Sequence, residues 1–167
     1  MLAPLVTGCI AGFSARPAIT PQRSFDPTVF FAGRTHGEGT LDVRIGTDRT
    51  LQVEGVGTPQ PDGRFRLDQT ITFGDGTVET RVWYLSRVSQ SRYTATLSDA
   101  RGDVRAESKG SLFHLRYLLR HPAVYMEQWL YLSADGRSVQ NFAQVTVAGV
   151  PWARLNERIT RSDAAMR

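Results

Sequence analysis

The stretch FGDGTVETRVWYLS, residues 73–86, carries the pattern on which the fold prediction depends. Its Gly74-Asp75-Gly76 run predicts a tight hairpin turn, because glycine accepts the positive φ that such turns need. The residues after the turn alternate between the two faces of a strand. One face carries Glu79, Arg81, Trp83 and Leu85. The stretch therefore predicts an antiparallel hairpin with charged and aromatic side chains mixed on one strand face.

About ten short strands of this kind follow one another from Phe30 to the C-terminus, at intervals of roughly 10–14 residues with turn residues between them. The predicted strands are Arg34–Ile45, Thr50–Thr58, Arg64–Phe73, Val78–Arg87, Ser91–Leu97, Val104–Lys109, Leu112–Arg120, Ala123–Leu132, Ser138–Val147 and Pro151–Thr160. Gly37 and Gly39 in the first of them predict a bulge or a close approach between strands. A small antiparallel sheet of this length closes into a barrel or sandwich, and a barrel has a lumen that can hold a small molecule.

The composition is that of one globular domain, with 167 residues of which 41% are hydrophobic and 22% charged. Lys and Arg total 20 against 16 Asp and Glu, and Lys109 is the only lysine. The arginines are dispersed along the chain, so we predict no nucleic-acid partner. No stretch reaches the roughly 18–20 apolar residues of a membrane-spanning helix.

Cys9 is the only cysteine, which excludes a disulfide within the chain and a multi-cysteine metal cluster. The residues before it, Val6-Thr7-Gly8, have the order at which bacterial lipoprotein signals are cut before the cysteine is lipidated. A complete signal also has a basic region and an apolar region of roughly 7–15 residues. Either the signal is truncated, which we favour, or the match is accidental. We interpret residues 1–27, with their four prolines, as a truncated lipoprotein signal and a flexible tether.

Charged and aromatic side chains recur on two predicted strands and suggest a ligand site. The predicted ligand-binding residues are Arg81, Glu79, Trp83, Glu127, Trp129 and Arg116. A buried Arg needs a carboxylate partner, because an unpaired interior charge costs several kcal/mol. Glu79 or Glu127 could supply that partner within the protein, or a ligand carboxylate could. The same residues are also compatible with an internal ion pair, or with a solvated outer face.

The three histidines, His36, His114 and His121, do not form a catalytic or metal-binding set of recognisable spacing. His114 with Glu127 or Arg116 is the nearest to an acid–base pair. We therefore predict no catalytic residue, no metal and no cofactor. A haem-binding barrel, which is an alternative, would use His36 or His114 as its axial ligand.

Two segments, Phe30–Gly39 (FFAGRTHGEG) and Phe73–Trp83 (FGDGTVETRVW), resemble a bacterial family known as domain of unknown function 3833. Further positions that match its pattern are Tyr93, Asp99, Gly102, Gly110, Tyr117, Glu127-Gln128-Trp129, Asn141 and Glu157. The resemblance covers most of residues 25–161 in the same order. It implies lipoproteins with a lipocalin-like (calycin) barrel, and it implies no activity. The chain departs from the family pattern at Ser111 and Phe142, and the lipocalin Gly-x-Trp start is replaced by Gly33-Arg34-Thr35.

We therefore predict an all-β protein with a single antiparallel barrel of about 8–10 strands, similar to lipocalins and fatty-acid-binding proteins. The barrel is predicted over residues 28–161, followed by a tail of residues 162–167. We expect a monomer that is anchored through Cys9 to the periplasmic face of a Gram-negative membrane, or that is cytoplasmic if Cys9 is not lipidated. Apart from this lipid anchor, no contact with the membrane is expected.

The function we predict is non-covalent binding or shuttling of a small amphipathic molecule, such as a lipid or fatty acid. Arg81 would anchor the anionic group, Glu79 and Glu127 would pair with Arg81 in the empty protein, and Trp83 and Trp129 would form the walls. One alternative is a structural or assembly lipoprotein whose barrel is filled by side chains. Another is an enzyme acting on lipid or polyene substrates, for which the sequence offers no catalytic set.

Overall fold

The computed structural model describes residues 15–121 and 123–162, so Cys9 and the predicted signal lie outside the described residues. The described residues form one short helix, α1 (Pro27–Phe30), and ten β-strands. The strands are β1 (Gly33–Val43), β2 (Arg49–Pro59), β3 (Phe65–Phe73), β4 (Val78–Arg87), β5 (Arg92–Leu97), β6 (Val104–Lys109), β7 (Leu112–Leu118), β8 (Val124–Leu132), β9 (Ser138–Val147) and β10 (Val150–Ser162).

The ten strands form a closed antiparallel barrel. Each strand pairs with its neighbours in the chain, and β1 pairs with β10 to close the sheet. The predicted antiparallel barrel of about 8–10 strands is therefore confirmed. Strands β4, β6 and β9 begin and end at the predicted residues, and the strongly apolar segment β7 is a strand as expected.

The β3–β4 turn shows why the strand ends were predictable. Gly76 has a φ of 84°, which an L side chain would strain. The Asp75 carboxylate accepts a hydrogen bond of 2.9 Å from the backbone N–H of Thr77, and this local contact fixes the turn. Such turn chemistry depends only on neighbouring residues, so the sequence alone was sufficient to predict it.

One end of the barrel is closed by α1 and the residue before it. Asp26 caps the helix by accepting a hydrogen bond of 3.0 Å from the Thr28 N–H, and Pro27 occupies the first helical position. Phe25 and Phe30 are buried with their rings 5.7 Å apart. The helix was not predicted, because four residues are too short for a periodic signal.

The chain before α1 also contacts the barrel. The backbone N–H of Thr20 donates to Ser111 Oγ at 2.8 Å, and the N–H of Phe25 donates to the Gly110 carbonyl at 2.9 Å. The packed part of the chain therefore begins earlier than the predicted residue, Thr28. Among the described residues, no helix has the length and apolar character needed to cross a bilayer.

The buried side chains inside the barrel form two apolar clusters. The larger one includes Phe25, Phe30 and Phe113 together with inward residues of β3 to β10. The smaller one consists of Leu51, Val53, Ile71 and Phe73 on β2 and β3. The core is therefore the interior of a barrel, and the alternative of a flat two-sheet sandwich does not apply.

Candidate ligand-binding site

The barrel encloses a cavity of about 190 Å³. Its wall is mainly apolar, and the small side chains of Ala95 and Ala106 on β5 and β6 leave room on one side. The polar residues that line it are Gln69, Arg81, Gln128, Asn141 and Glu157. Ligand pockets for drug-sized molecules usually measure about 300–1,000 Å³. The cavity therefore suits a small molecule, or one part of a longer one.

Arg81 points into the barrel, as the alternation on β4 predicted. Its Nε lies 2.9 Å from Asp99 Oδ2, although the N–H does not point at that oxygen, so the contact is ionic rather than a hydrogen bond. Its Nη2 lies 3.9 Å from Glu79 Oε2. The side chain is 23% exposed. Arg81 is therefore a partly solvated cation held by two carboxylates, of which only Glu79 was predicted.

Asp99 was missed as the partner of Arg81 because it lies in the β5–β6 connection and not on a strand face. The alternation of side chains on a strand says nothing about where a loop carboxylate points. Asp99 does belong to the positions that carry the family resemblance, and that was the available signal.

Trp83 also faces the interior, where it forms part of the cavity wall. Its indole Nε1 donates a hydrogen bond of 2.8 Å to Gln69 Oε1. Its ring meets the ring of Tyr117 edge to face, with centroids 5.5 Å apart. The hydrogen bond and the ring contact hold the indole in one orientation, which is what a fixed cavity wall requires.

The prediction that Glu127 and Trp129 face the lumen is wrong. On β8 the cavity-lining residues are Met126, Gln128 and Leu130, so the alternate residues lie on the outer face. Both faces of β8 carry large apolar or aromatic side chains, and hydrophobicity therefore did not distinguish them. On the outside, the Arg16 guanidinium lies 3.8 Å above the Trp129 ring.

Arg116 is likewise on the outer face, on β7, where its guanidinium lies 5.0 Å from the ring of Tyr125. It does not line the cavity, and its predicted place in the ligand site is corrected accordingly. The inward residues of β7 include Leu115 and Tyr117 on either side of it. Of the six predicted ligand-binding residues, Arg81 and Trp83 line the cavity. Glu79 contacts Arg81 without lining the cavity, and the other three lie on the outer face.

The two candidate haem ligands are also on the outside of the barrel. His114 Nε2 lies 2.8 Å from Glu127 Oε1, and its ring stacks on Trp129. His36 contacts Glu54, whose hydrogen bond raises the pKa of that imidazole. Neither imidazole lines the cavity. The geometry therefore gives no support to a haem held by either residue inside the barrel.

Four polar side chains on consecutive strands form a connected network that the sequence did not reveal. Gln128 Nε2 donates to the Tyr117 hydroxyl at 2.8 Å. Asn141 Nδ2 donates to Glu157 Oε2 at 2.9 Å and contacts Gln128 Oε1 at 3.5 Å. All four residues are buried. We call Tyr117, Gln128, Asn141 and Glu157 the polar wall.

Glu157 is a buried carboxyl with an unusual environment. Burial raises its pKa, while the hydrogen bond from Asn141 and the charge of Arg81 act in the opposite direction. A Cβ on Gly37 would lie 2.3 Å from Glu157 Oε1, so only glycine leaves room for this carboxyl. Around Gly37, β1 pairs with β2 and β10 without a register shift. Of the two predicted explanations for this glycine, close approach is the correct one.

The polar wall was not predicted, because the prediction placed the wrong face of β8 inward and therefore placed Gln128 on the outside. The other three residues, Tyr117, Asn141 and Glu157, each lie on a different strand, and no local sequence pattern connects them. Only the closed barrel brings them together. All three belong to the positions that carry the family resemblance, and this was the signal that could have found them.

The chain is thus an all-β protein built as a closed ten-stranded antiparallel barrel around an internal cavity. Residues 4–161 match the family model described as Protein of unknown function (DUF3833), so the chain belongs to this family. A comparison with curated proteins found no match.

Solved structures of other proteins share the fold. An S-type phycobiliprotein lyase from Guillardia theta superposes with a TM-score of 0.64 at 9% identity, covering 82% of this chain and 91% of the lyase. A protein of unknown function from the DUF3598 family of Nostoc punctiforme gives a TM-score of 0.62 at 12% identity. That match covers 84% of this chain and 50% of the Nostoc protein. At these identities the similarity concerns the fold.

Proposed function

We propose that this protein binds a small amphipathic molecule non-covalently inside its barrel. The observation that carries the proposal is an apolar cavity, closed at one end, whose polar lining is limited to a few side chains including Arg81, Asn141 and Glu157. Apolar burial with a few placed polar groups is the usual composition of a ligand site. A cavity of this kind argues against a barrel filled entirely by side chains. The fold shared with a phycobiliprotein lyase supports a role that involves another molecule.

The apolar part of the cavity can supply only part of the affinity. A chain that buries about six methylene groups gains about 5 kcal/mol at about 0.8 kcal/mol each. This gain corresponds to a dissociation constant of about 0.2 mM before the cost of association is counted. Tighter binding therefore needs a polar contact. We assign that contact to Arg81, the cationic side chain that lines the cavity, and the ligand we propose is a lipid or fatty acid with an acidic group.

Replacing Arg81 with Gln is expected to raise the dissociation constant of dodecanoic acid by about tenfold or more. The expected loss is a charge-assisted hydrogen bond, reduced in strength because Asp99 already compensates the guanidinium. Isothermal titration calorimetry on the folded variants measures the dissociation constant of dodecanoic acid. Arg101→Gln, an exposed residue in the neighbouring connection, is the matched control.

Unchanged affinity in the Arg81 variant would remove its anchoring role while leaving the binding function in place. The function itself is tested on the unaltered protein. A small amphipathic molecule that co-purifies in native mass spectrometry, or measurable binding of dodecanoic acid, supports it. An empty barrel that takes up neither this acid nor its alcohol would favour the structural alternative.

The second part of the proposal is that Cys9 carries a lipid anchor on the periplasmic face of a bacterial membrane. It rests on the Val6-Thr7-Gly8-Cys9 order alone. We expect the full-length precursor to incorporate labelled palmitate in cells and its Cys9→Ser variant to incorporate none. A precursor that stays unlabelled and cytoplasmic contradicts the anchor, with no consequence for ligand binding.

A further inference from the structure

The polar wall contains two buried oxygen atoms, Glu157 Oε1 and Asn141 Oδ1, that have no hydrogen-bond partner among residues 15–121 and 123–162. Both residues are 4% exposed, and both line the cavity. Folded proteins pair nearly all such atoms, because a buried acceptor that has lost its water is costly to leave unpaired. Unpaired acceptor oxygens in a cavity wall therefore indicate that a bound molecule supplies a hydrogen-bond donor there.

The two amide groups of the polar wall already donate within it. Asn141 Nδ2 donates to Glu157 Oε2, and Gln128 Nε2 donates to the Tyr117 hydroxyl. Turning the Asn141 amide over would direct its oxygen at Glu157 Oε2 and Gln128 Oε1, which are acceptors, and would leave its NH₂ unpaired instead. In either orientation, one polar group of Asn141 lacks a partner among the described residues.

We propose that Asn141 and Glu157 receive a hydroxyl or N–H group of the ligand, which is therefore an amphipathic acid with a hydrogen-bond donor close to its carboxylate. This inference rests on the proposed function and specifies its ligand. Arg81 takes the carboxylate in this arrangement. Arg81 and Glu157 both line the cavity.

A hydroxyl group has one proton to donate and two lone pairs that accept. When Glu157 is neutral, the hydroxyl donates to Asn141 Oδ1 and accepts a hydrogen bond from the acid. When Glu157 is ionised, the hydroxyl donates its proton to one of the two unpaired oxygens. Burial raises the pKa of Glu157, and the hydrogen bond from Asn141 opposes that shift. A plain fatty acid or an ether oxygen has no proton to offer at this position.

Three probes of equal chain length test the inference on the unaltered protein: dodecanoic acid, 3-hydroxydodecanoic acid and 3-methoxydodecanoic acid. Isothermal titration calorimetry is expected to give a dissociation constant for the hydroxy acid that is at least about tenfold lower than for either of the others. Equal affinities for the hydroxy and methoxy acids overturn the inference, and the proposed function stands. Failure of all three to bind overturns the proposed function as well.

The variant Asn141→Leu tests whether the ligand hydroxyl contacts Asn141, because it keeps the side-chain size and removes the acceptor. The preference for the hydroxy acid over the methoxy acid is expected to fall below about threefold in this variant. Gln144→Leu, three positions away on the outer face of β9, should keep the full preference. If the Asn141→Leu variant keeps the full preference for the hydroxy acid, the ligand hydroxyl does not contact Asn141 and the assignment is overturned. If that variant does not fold, the probe series on the unaltered protein decides.

Discussion

Replacing Ala106 with Phe is expected to raise the dissociation constant of dodecanoic acid at least about a hundredfold. Ala106 lies on β6, lines the cavity and is buried. Across the sheet it pairs with Tyr93 on β5, whose side chain also lines the cavity. A ring added at this position enters the space that the apolar part of the ligand would occupy. Losing most of about 5 kcal/mol of apolar burial accounts for an effect of this size.

The protein should tolerate this change, because the ring fills an existing cavity instead of displacing packed atoms. Overpacking costs about 1–3 kcal/mol in a filled core, so a folded barrel is the expected outcome, and circular dichroism checks it. Thr96→Phe adds the same ring to the exposed outer face of β5 and serves as the matched control. A folded Ala106→Phe protein that binds dodecanoic acid with unchanged affinity would show that the acid binds outside the barrel.

Replacing Phe25 with Ala is expected to lower the free energy of unfolding by about 3–5 kcal/mol. Phe25 is 0% exposed and its ring lies 5.7 Å from the rings of Phe30 and Phe113. It joins the segment before α1 to the core at the closed end. Small domains have a total stability of about 5–15 kcal/mol, so the loss is a large fraction of it.

Urea denaturation followed by circular dichroism measures the change. Val29→Ala is the control, because Val29 lies four residues further on, in α1, and is 60% exposed. We expect this control to remain within about 0.5 kcal/mol of the unaltered protein. A similarly small effect of Phe25→Ala would mean that the segment before α1 unfolds separately from the barrel.

The strands and turns were predictable because their signals are local. A two-residue alternation and an Asp-Gly turn depend on residues within a few positions of one another, as the β3–β4 hairpin shows. Alternation assigned Arg81 and Trp83 to one face, and the interior of the barrel contains that face. On β8 the same argument predicted that the face with Trp129 and Tyr131 points inward, and that prediction was wrong. These residues are as hydrophobic as the true inward residues Met126 and Leu130.

The candidate site was only partly predictable for a related reason. Arg81 was found because a charge among aromatic residues on a strand is conspicuous. Its closest carboxylate, Asp99, comes from a connection between other strands. The contact between Gly37 and Glu157 joins β1 to β10, the first and last strands of the chain. No local pattern encodes these neighbours.

By itself the sequence determined that the chain is built from about ten antiparallel strands, where they begin and end to within two residues, and which side chains share a strand face. The tertiary structure alone decided which face of each strand points inward, that α1 and Phe25 close one end, and that Asn141 and Glu157 meet beside the cavity. The physical reason is the range of the interactions. Side-chain alternation and turn geometry act over a few residues, whereas the pairing of β1 with β10 and the packing of the closed end join residues from opposite ends of the chain.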